Sequence, residues 1–197
     1  MLFSSLLFFL PLLAHADVSL PEVSLPENAL PGFALHLMDE SGNVTYVHES
    51  EFDSYGVSMS VDDTYVNGTD TIPVTRRGLP SGDSITCESQ KTFNTQDLHH
   101  GMIKLMEYLS CGYTIKTSPV SKYLYVASSH YEGSSVIYVC NYSGQYRTIK
   151  GPQLVDFLGQ VFNHCGQRNI AGWYSEHFYD MAWGYTNNKN GFCGPPQ

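Results

Sequence analysis

Apolar residues recur with helical spacing in two stretches of the chain and alternate or cluster as strands elsewhere. Leu98, Met102, Leu105 and Leu109 follow one another at four, three and four residues, which places them on one stripe of a helix over residues 95–110. Asn94 or Thr95 caps its start, and Asp97 favours the positive end of its dipole. Leu154, Leu158, Val161, Phe162 and Cys165 make a second stripe, over residues 152–165, with Pro152 at the first helical position and Gly166 as the stop. Aromatic and β-branched residues mark strands at 123–127 and 135–140, with a turn at Glu132, Gly133 and Ser134 between them. Further strand signals cover 170–174 and 182–185, and a weaker one covers 112–116. Earlier in the chain, residues 33–37 alternate, 39–43 turn and 44–47 resume, which reads as a hairpin, and 55–61 alternate again. The order helix, strands, helix, strands predicts an α+β fold. Its expected form is an antiparallel sheet with two helices packed on one face, an α/β sandwich, preceded by a small hairpin-rich segment.

Charge divides the chain in the same place as cysteine content does. Residues 17–77 hold 11 acidic and 2 basic residues, a net of −9, whereas residues 78–197 hold 8 of each. The first of these segments also repeats Ser-Leu-Pro-Glu, at 19–22 and 24–27, a composition that favours extended chain. Arg76 and Arg77 form the only basic pair and stand at the change, just before Gly78, Pro80 and Gly82. In an exported precursor such a pair is a processing site for a Golgi protease; the other reading is two solvated surface arginines. The division expected is therefore an acidic pro-segment or N-terminal extension at 17–77 and a disulfide-bonded domain at 78–197.

Export is expected from the first residues. An apolar run ends in Ala14-His15-Ala16, a small-x-small pattern that predicts a signal peptide cleaved after Ala16. The run is shorter than the roughly 20 residues a membrane span needs, so no stable membrane insertion is expected. Sequons at Asn43, Asn67 and Asn141 predict glycosylation in the same compartment. The five cysteines, Cys87, Cys111, Cys140, Cys165 and Cys193, are spaced too widely for a zinc site and read as a disulfide framework. Cys87 and Cys193 bracket the second segment and are expected to close it end to end. Cys140 ends a strand and Cys165 ends a helix, and their bridge would tie helix to sheet, leaving Cys111 odd.

Candidate chemistry is sparse. There is no Gly-x-Ser-x-Gly elbow and no glycine-rich phosphate loop. His99 and His100 are adjacent and point about 100° apart on a helix, so they cannot share a metal. No cofactor or metal is expected, and the eight histidines, His130, His164 and His177 among them, are assigned to surface or capping positions. A secreted hydrolase would have to draw on His177 with Glu176 or Asp180. The neutral second segment argues against a nucleic-acid partner. Tyr174, Phe178, Tyr179, Trp183 and Tyr185 cluster near the C-terminus and, if exposed, would stack on sugar rings; in alternating strands half of them face the core instead.

A pattern of residues then stands out: Cys87 before the first helix, Tyr138-Val-Cys140 ending a strand, Asn163-His-Cys-Gly166 ending the second helix, Ala171-Gly-Trp173, and Gly191-Phe-Cys193. This resembles the small secreted fungal proteins related to the virally encoded fungal killer protein four and to the necrosis-inducing extracellular effector domain, over roughly residues 85–194. The resemblance implies an exported α/β sandwich acting as a toxin or a plant-directed effector. The chain departs from the killer protein in having few cysteines, and none of that protein's basic functional residues can be placed on it, so channel blocking does not carry over. The leading expectation is a secreted, extracellular effector or toxin-like protein that acts without catalysis, by binding a target on a host or competitor cell. A cell-wall carbohydrate-binding protein is the alternative, and a secreted hydrolase the third reading.

Overall fold

Ten strands and two α-helices account for most of the residues that the computed structural model describes, which are 22–55, 57–61, 82–109, 113–117, 124–142, 148–149, 151–165, 169–177 and 180–194. In chain order they are β1 (Gly32–Met38), β2 (Val44–His48), a 3-10 helix (Glu49–Tyr55), β3 (Val57–Val61), β4 (Ser84–Thr92), α1 (Thr95–Leu109), β5 (Tyr113–Thr117), β6 (Leu124–Glu132), β7 (Ser135–Asn141), β8 (Thr148–Ile149), α2 (Gly151–His164), β9 (Ile170–Glu176) and β10 (Met181–Asn187). Seven strands make one antiparallel sheet in the order β2-β1-β6-β7-β10-β9-β4, and β3, β5 and β8 make a second, smaller one. The fold is mixed α+β.

The ends of α1 follow the sequence closely. Asn94 is the cap: its Oδ1 accepts the backbone N–H groups of Gln96 and Asp97 at 2.9 and 3.2 Å. Asp97 does more than face the dipole. Its Oδ2 accepts both the N–H and the hydroxyl of Ser134, at 2.7 and 2.6 Å, and so ties α1 to the β6–β7 turn, where Gly133 takes a φ of 58°. These bonds hold the Asp97 carboxyl below its ordinary pKa, the Ser134 hydroxyl having the largest effect.

Side chains alternate across the large sheet, and each face has its own buried cluster. On one face Phe33, Leu35, Leu37, Ile137, Val139, Tyr174, Trp183 and Tyr185 join Leu98 and Leu105 of α1 and Leu154, Leu158 and Val161 of α2. On the other face Ala127, Val136, Tyr138, Cys140 and Ala182 are covered by Val23, Phe192 and Cys193. The cover is a pair of chain segments joined by reciprocal backbone bonds between Val23 and Phe192, each 2.7 Å long. Phe192 stacks on Tyr138 with ring centroids 4.9 Å apart and meets His36 edge-on at 5.4 Å. Gly184 makes this possible, because a Cβ there would lie 2.6 Å from the Tyr138 ring.

Three expectations are corrected here. First, β1 is an interior strand, paired with β2 on one side and with β6 on the other. Residues 32–48 therefore belong to the same sheet as the cysteine-bearing half, and the boundary at Arg76-Arg77 does not divide the core into a separable pro-segment and a domain. A hairpin is visible in sequence, but the strand it docks against is not. Second, the bridges join Cys87 to Cys165 and Cys140 to Cys193, with Cα atoms 5.5 and 5.4 Å apart. All four cysteines are bonded, but the partners are exchanged. Cys140 lies opposite Ala127 and Ala182 and shares their face, while Cys165 is buried with α2 on the other face. A sheet stands between them, so no bond forms. Cys87 lies opposite Gly172, where a Cβ would come within 2.9 Å of the Cys165 sulfur, so the glycine leaves room for the bridge. Third, β4 was not expected at all. It is the edge strand of the sheet and mostly exposed, so its sequence is polar and lacks an apolar signal.

The proposed signal peptide with Ala16, the residues Asn67, Arg76, Arg77, Cys111, Phe178 and Tyr179, and the link from 62 to 81 lie outside the described residues. Among the described residues no helix is long and apolar enough to cross a membrane.

Candidate functional site

The aromatic cluster does not form a contact surface. Tyr174, Trp183 and Tyr185 are each at most 1% exposed and lie in the cluster beneath the helices. Odd-numbered residues of β10 and even-numbered residues of β9 point to that face, so strand alternation buries all three. Phe157 of α2 packs on both Tyr174 and Trp183, with centroids 4.5 and 5.2 Å away.

The histidines divide into two sets. His99, His100, His164 and His177 are exposed, as expected of surface and capping roles. His36 and His130 are buried, at 1% and 5% exposure, which corrects that assignment for these two. They sit on opposite faces of the β1–β6 pair. His36 Nε2 is 3.0 Å from the Ser129 hydroxyl, and burial pushes its pKa down to about 3. Both ring nitrogens of His130 are buried without a partner, as are Trp183 Nε1 and the Tyr185 hydroxyl. Burial lowers the His130 pKa, Glu132 and Glu49 act against it, and Lys104 adds to it.

Of the residues weighed for hydrolysis, His177 is held through its backbone. The Tyr174 hydroxyl donates to Asp83 Oδ2 at 2.6 Å, and the His177 backbone N–H donates to Asp83 Oδ1 at 3.0 Å. Burial, then the bond to Asp83, raises the Tyr174 pKa. Asp83 thus links the start of β4 to the end of β9, through the Tyr174 hydroxyl and the His177 backbone N–H. Among the described residues no cluster of His, Cys, Asp and Glu is arranged to hold a metal ion.

The sequons also differ. Asn43 is exposed in the β1–β2 turn, where Asp39 accepts its backbone N–H at 2.9 Å and its Nδ2 at 3.1 Å. Asn141 is fully buried at the end of β7. The folded protein cannot present it to a glycosylating enzyme, which corrects the expectation for that site; three-residue sequons carry no information on burial.

The described residues also form an open cleft of about 610 Å³ at one end of the large sheet. Four segments converge on it: residues 92–96 between β4 and α1, Ser134 in the β6–β7 turn, Asn169 before β9, and residues 187–189 after β10. Asn94, Gln96, Asn169, Asn187 and Asn188 line it with five carboxamides, Phe93 gives it one largely buried apolar side chain, and among the described residues no carboxylate borders it. The walls are cross-tied. Asn187 Nδ2 donates to the Thr92 carbonyl at 2.7 Å, the Thr95 hydroxyl donates to Asn169 Oδ1 at 2.8 Å, and Asn188 Nδ2 donates to the Tyr131 hydroxyl at 3.1 Å. Asn169 holds a φ of 55°, a left-handed conformation that asparagine tolerates better than most residues. Sequence reading missed this cleft because its carboxamides come from segments far apart in the chain and read locally as turn and cap residues. Compared with known proteins, the chain matches no family model, no curated protein and no solved structure.

Proposed function

We propose that this chain is an exported, non-enzymatic protein of effector or toxin type that acts by binding a target on the surface of a host or competitor cell. The reading takes in an α/β sandwich with both helices on one face of the sheet, and the resemblance to the fungal killer-protein and necrosis-effector families carried by Cys87, Cys140, Cys165, Cys193 and Trp173. The observation that supports it best is the cleft. Four of its five carboxamides are held at defined positions, and an amide neither gives nor takes a proton near neutral pH, so the lining suits recognition and not acid–base chemistry. Two disulfides, one bracing each face of the sheet, suit an oxidising compartment.

The test is application of the purified protein from culture fluid to plant tissue and to competing fungi. The expected result is tissue death or growth arrest with saturable binding to intact cells. Absence of both the response and the cell binding would remove the reading.

A further inference from the structure

We propose that the amide-lined cleft binds the hydroxyl-bearing units of a neutral oligosaccharide; this rests on the cleft being the contact surface of the functional reading above. Several polar atoms of the lining are already bonded within the protein. Asn94 Oδ1 caps α1, and its Nδ2 has no partner among the described residues. Asn169 Oδ1 accepts from Thr95, and its Nδ2 is likewise free. Asn188 uses Nδ2 on Tyr131 and leaves Oδ1 unpaired. Gln96 makes no side-chain bond among the described residues, so both ends of its amide face no partner there. The cleft therefore offers unpaired donors and unpaired acceptors side by side. A sugar hydroxyl is one group that gives and takes a hydrogen bond at once, and adjacent hydroxyls repeat that pair along a ring.

Charge narrows the class. The protein carries a net charge of −9, yet among the described residues no carboxylate lines the cleft, so a cationic ligand finds no counterion in that lining. Among the described residues Lys189 is the only cation in the lining, too little to neutralise a polyanion against that net charge. An uncharged ligand fits both facts. Pre-organisation supports a specific site. Asn94, Asn169 and Asn188 are each fixed through one amide atom while presenting the other, so binding costs little further side-chain entropy. The volume of about 610 Å³ falls in the ordinary range for small-ligand sites, roughly 300–1,000 Å³. An extended peptide is the less favoured occupant, because the lining consists of side-chain amides from four segments and not a run of free strand backbone.

Two substitutions separate the ligand role from the structural one. Asn94→Asp and Asn169→Asp keep the Oδ1 atoms that cap α1 and receive Thr95, and replace the free NH2 groups with carboxylate oxygens. The full chain, with each variant, is titrated calorimetrically with chitotetraose, cellotetraose and laminaritetraose, and with tetragalacturonate and tetra-alanine as charged and peptide controls. The expected result is saturable binding of at least one neutral tetrasaccharide, weakened at least tenfold in both variants, with unchanged thermal midpoints. No binding of any neutral tetrasaccharide, equal affinity in the variants, or preference for tetragalacturonate or tetra-alanine would overturn the proposal. Labelled protein on intact cells distinguishes its failure from that of the functional reading. Variants that lose cell binding while no saccharide binds overturn the sugar class and leave the cleft as the contact surface. Variants that lose the saccharide but keep cell binding uphold the sugar site and remove the cleft as the surface that contacts the cell.

Discussion

The two faces of the large sheet are buried by different means. Beneath the helices, apolar stripes of α1 and α2 meet Phe33, Leu35, Val139 and Trp183 in one broad cluster, and the Cys87–Cys165 bridge sits at its margin. On the opposite face no helix of the described residues joins the buried cluster. There a smaller cluster is closed by residues 22–31 and 191–194, held by the Val23–Phe192 backbone pair and the Cys140–Cys193 bridge, and it contains His36 and Ser129. Helices bring their own hydrogen bonds and a continuous apolar stripe. Extended segments bring fewer apolar side chains and depend on a covalent link to stay in place. The helix-side core is thus expected to resist by burial, and the strap side by cross-linking.

The largest test of that contrast is Trp183→Ala, which empties the middle of the helix-side core. It is expected to cost about 3–5 kcal/mol in urea unfolding. Phe192→Ala on the strap side is expected to cost less, and an equal cost would mean that the outer face is no thinner a core. Next come the disulfides. Their sequence separations of 78 and 53 residues give nearly equal chain-entropy contributions, about 4 kcal/mol each. What should differ is where the protein opens. Replacing Cys140 and Cys193 with alanine is expected to speed hydrogen exchange at the Val23 and Phe192 amides, whereas replacing Cys87 and Cys165 should leave those two amides protected. Equal exchange in both variants would break the comparison.

Acid should weaken the strap side. The unfolded chain protonates His36 near 6.5 while the folded chain resists until about 3, so stability is full above 6.5 and falls as pH drops through that value toward 3. Between pH 7.5 and pH 5 the expected loss is about 2 kcal/mol from this one group. His130, lowered in the same direction by burial, adds to the slope from the other face. His36→Asn should flatten the pH dependence of the unfolding midpoint, and an unchanged slope would assign it elsewhere. The smallest effects separate two tyrosines of one cluster. Tyr174→Phe loses the bond to Asp83 and is expected to cost about 1 kcal/mol, while Tyr185→Phe removes a buried, unpaired hydroxyl and is expected to be neutral within about 0.5 kcal/mol. Thermal unfolding of the two variants side by side reads that difference.

Much of the local structure is legible in the residues alone. The stripes of Leu98 to Leu105 and Leu154 to Val161, the Asn94 cap, and the turn at Gly133 each follow from a few neighbouring side chains, and the elements lie within a residue or two of where periodicity puts them. The four bonded cysteines are also identifiable as a set. Less follows for β4, an exposed edge strand whose polar run carries no core signal. The candidate cleft is not legible at all, because its carboxamides come from four segments and each has a local role as cap or turn residue.

Tertiary structure decided the rest, for one physical reason: a strand's pattern says which residues share a face, not which strand or layer that face meets. The alternation along β7 separates Cys140 from Val139, but only the placement of α2 on the Val139 side sends Cys165 to Cys87 and leaves Cys140 for Cys193. The alternation of Phe33 to Leu37 makes a strand, but only its pairing with β6 makes it interior and residues 32–48 part of the large sheet. The sequence by itself thus determined the elements and their buried faces. Neighbours across the sheet, which are remote in the chain, determined the bridges, the burial of the aromatic cluster and the cleft.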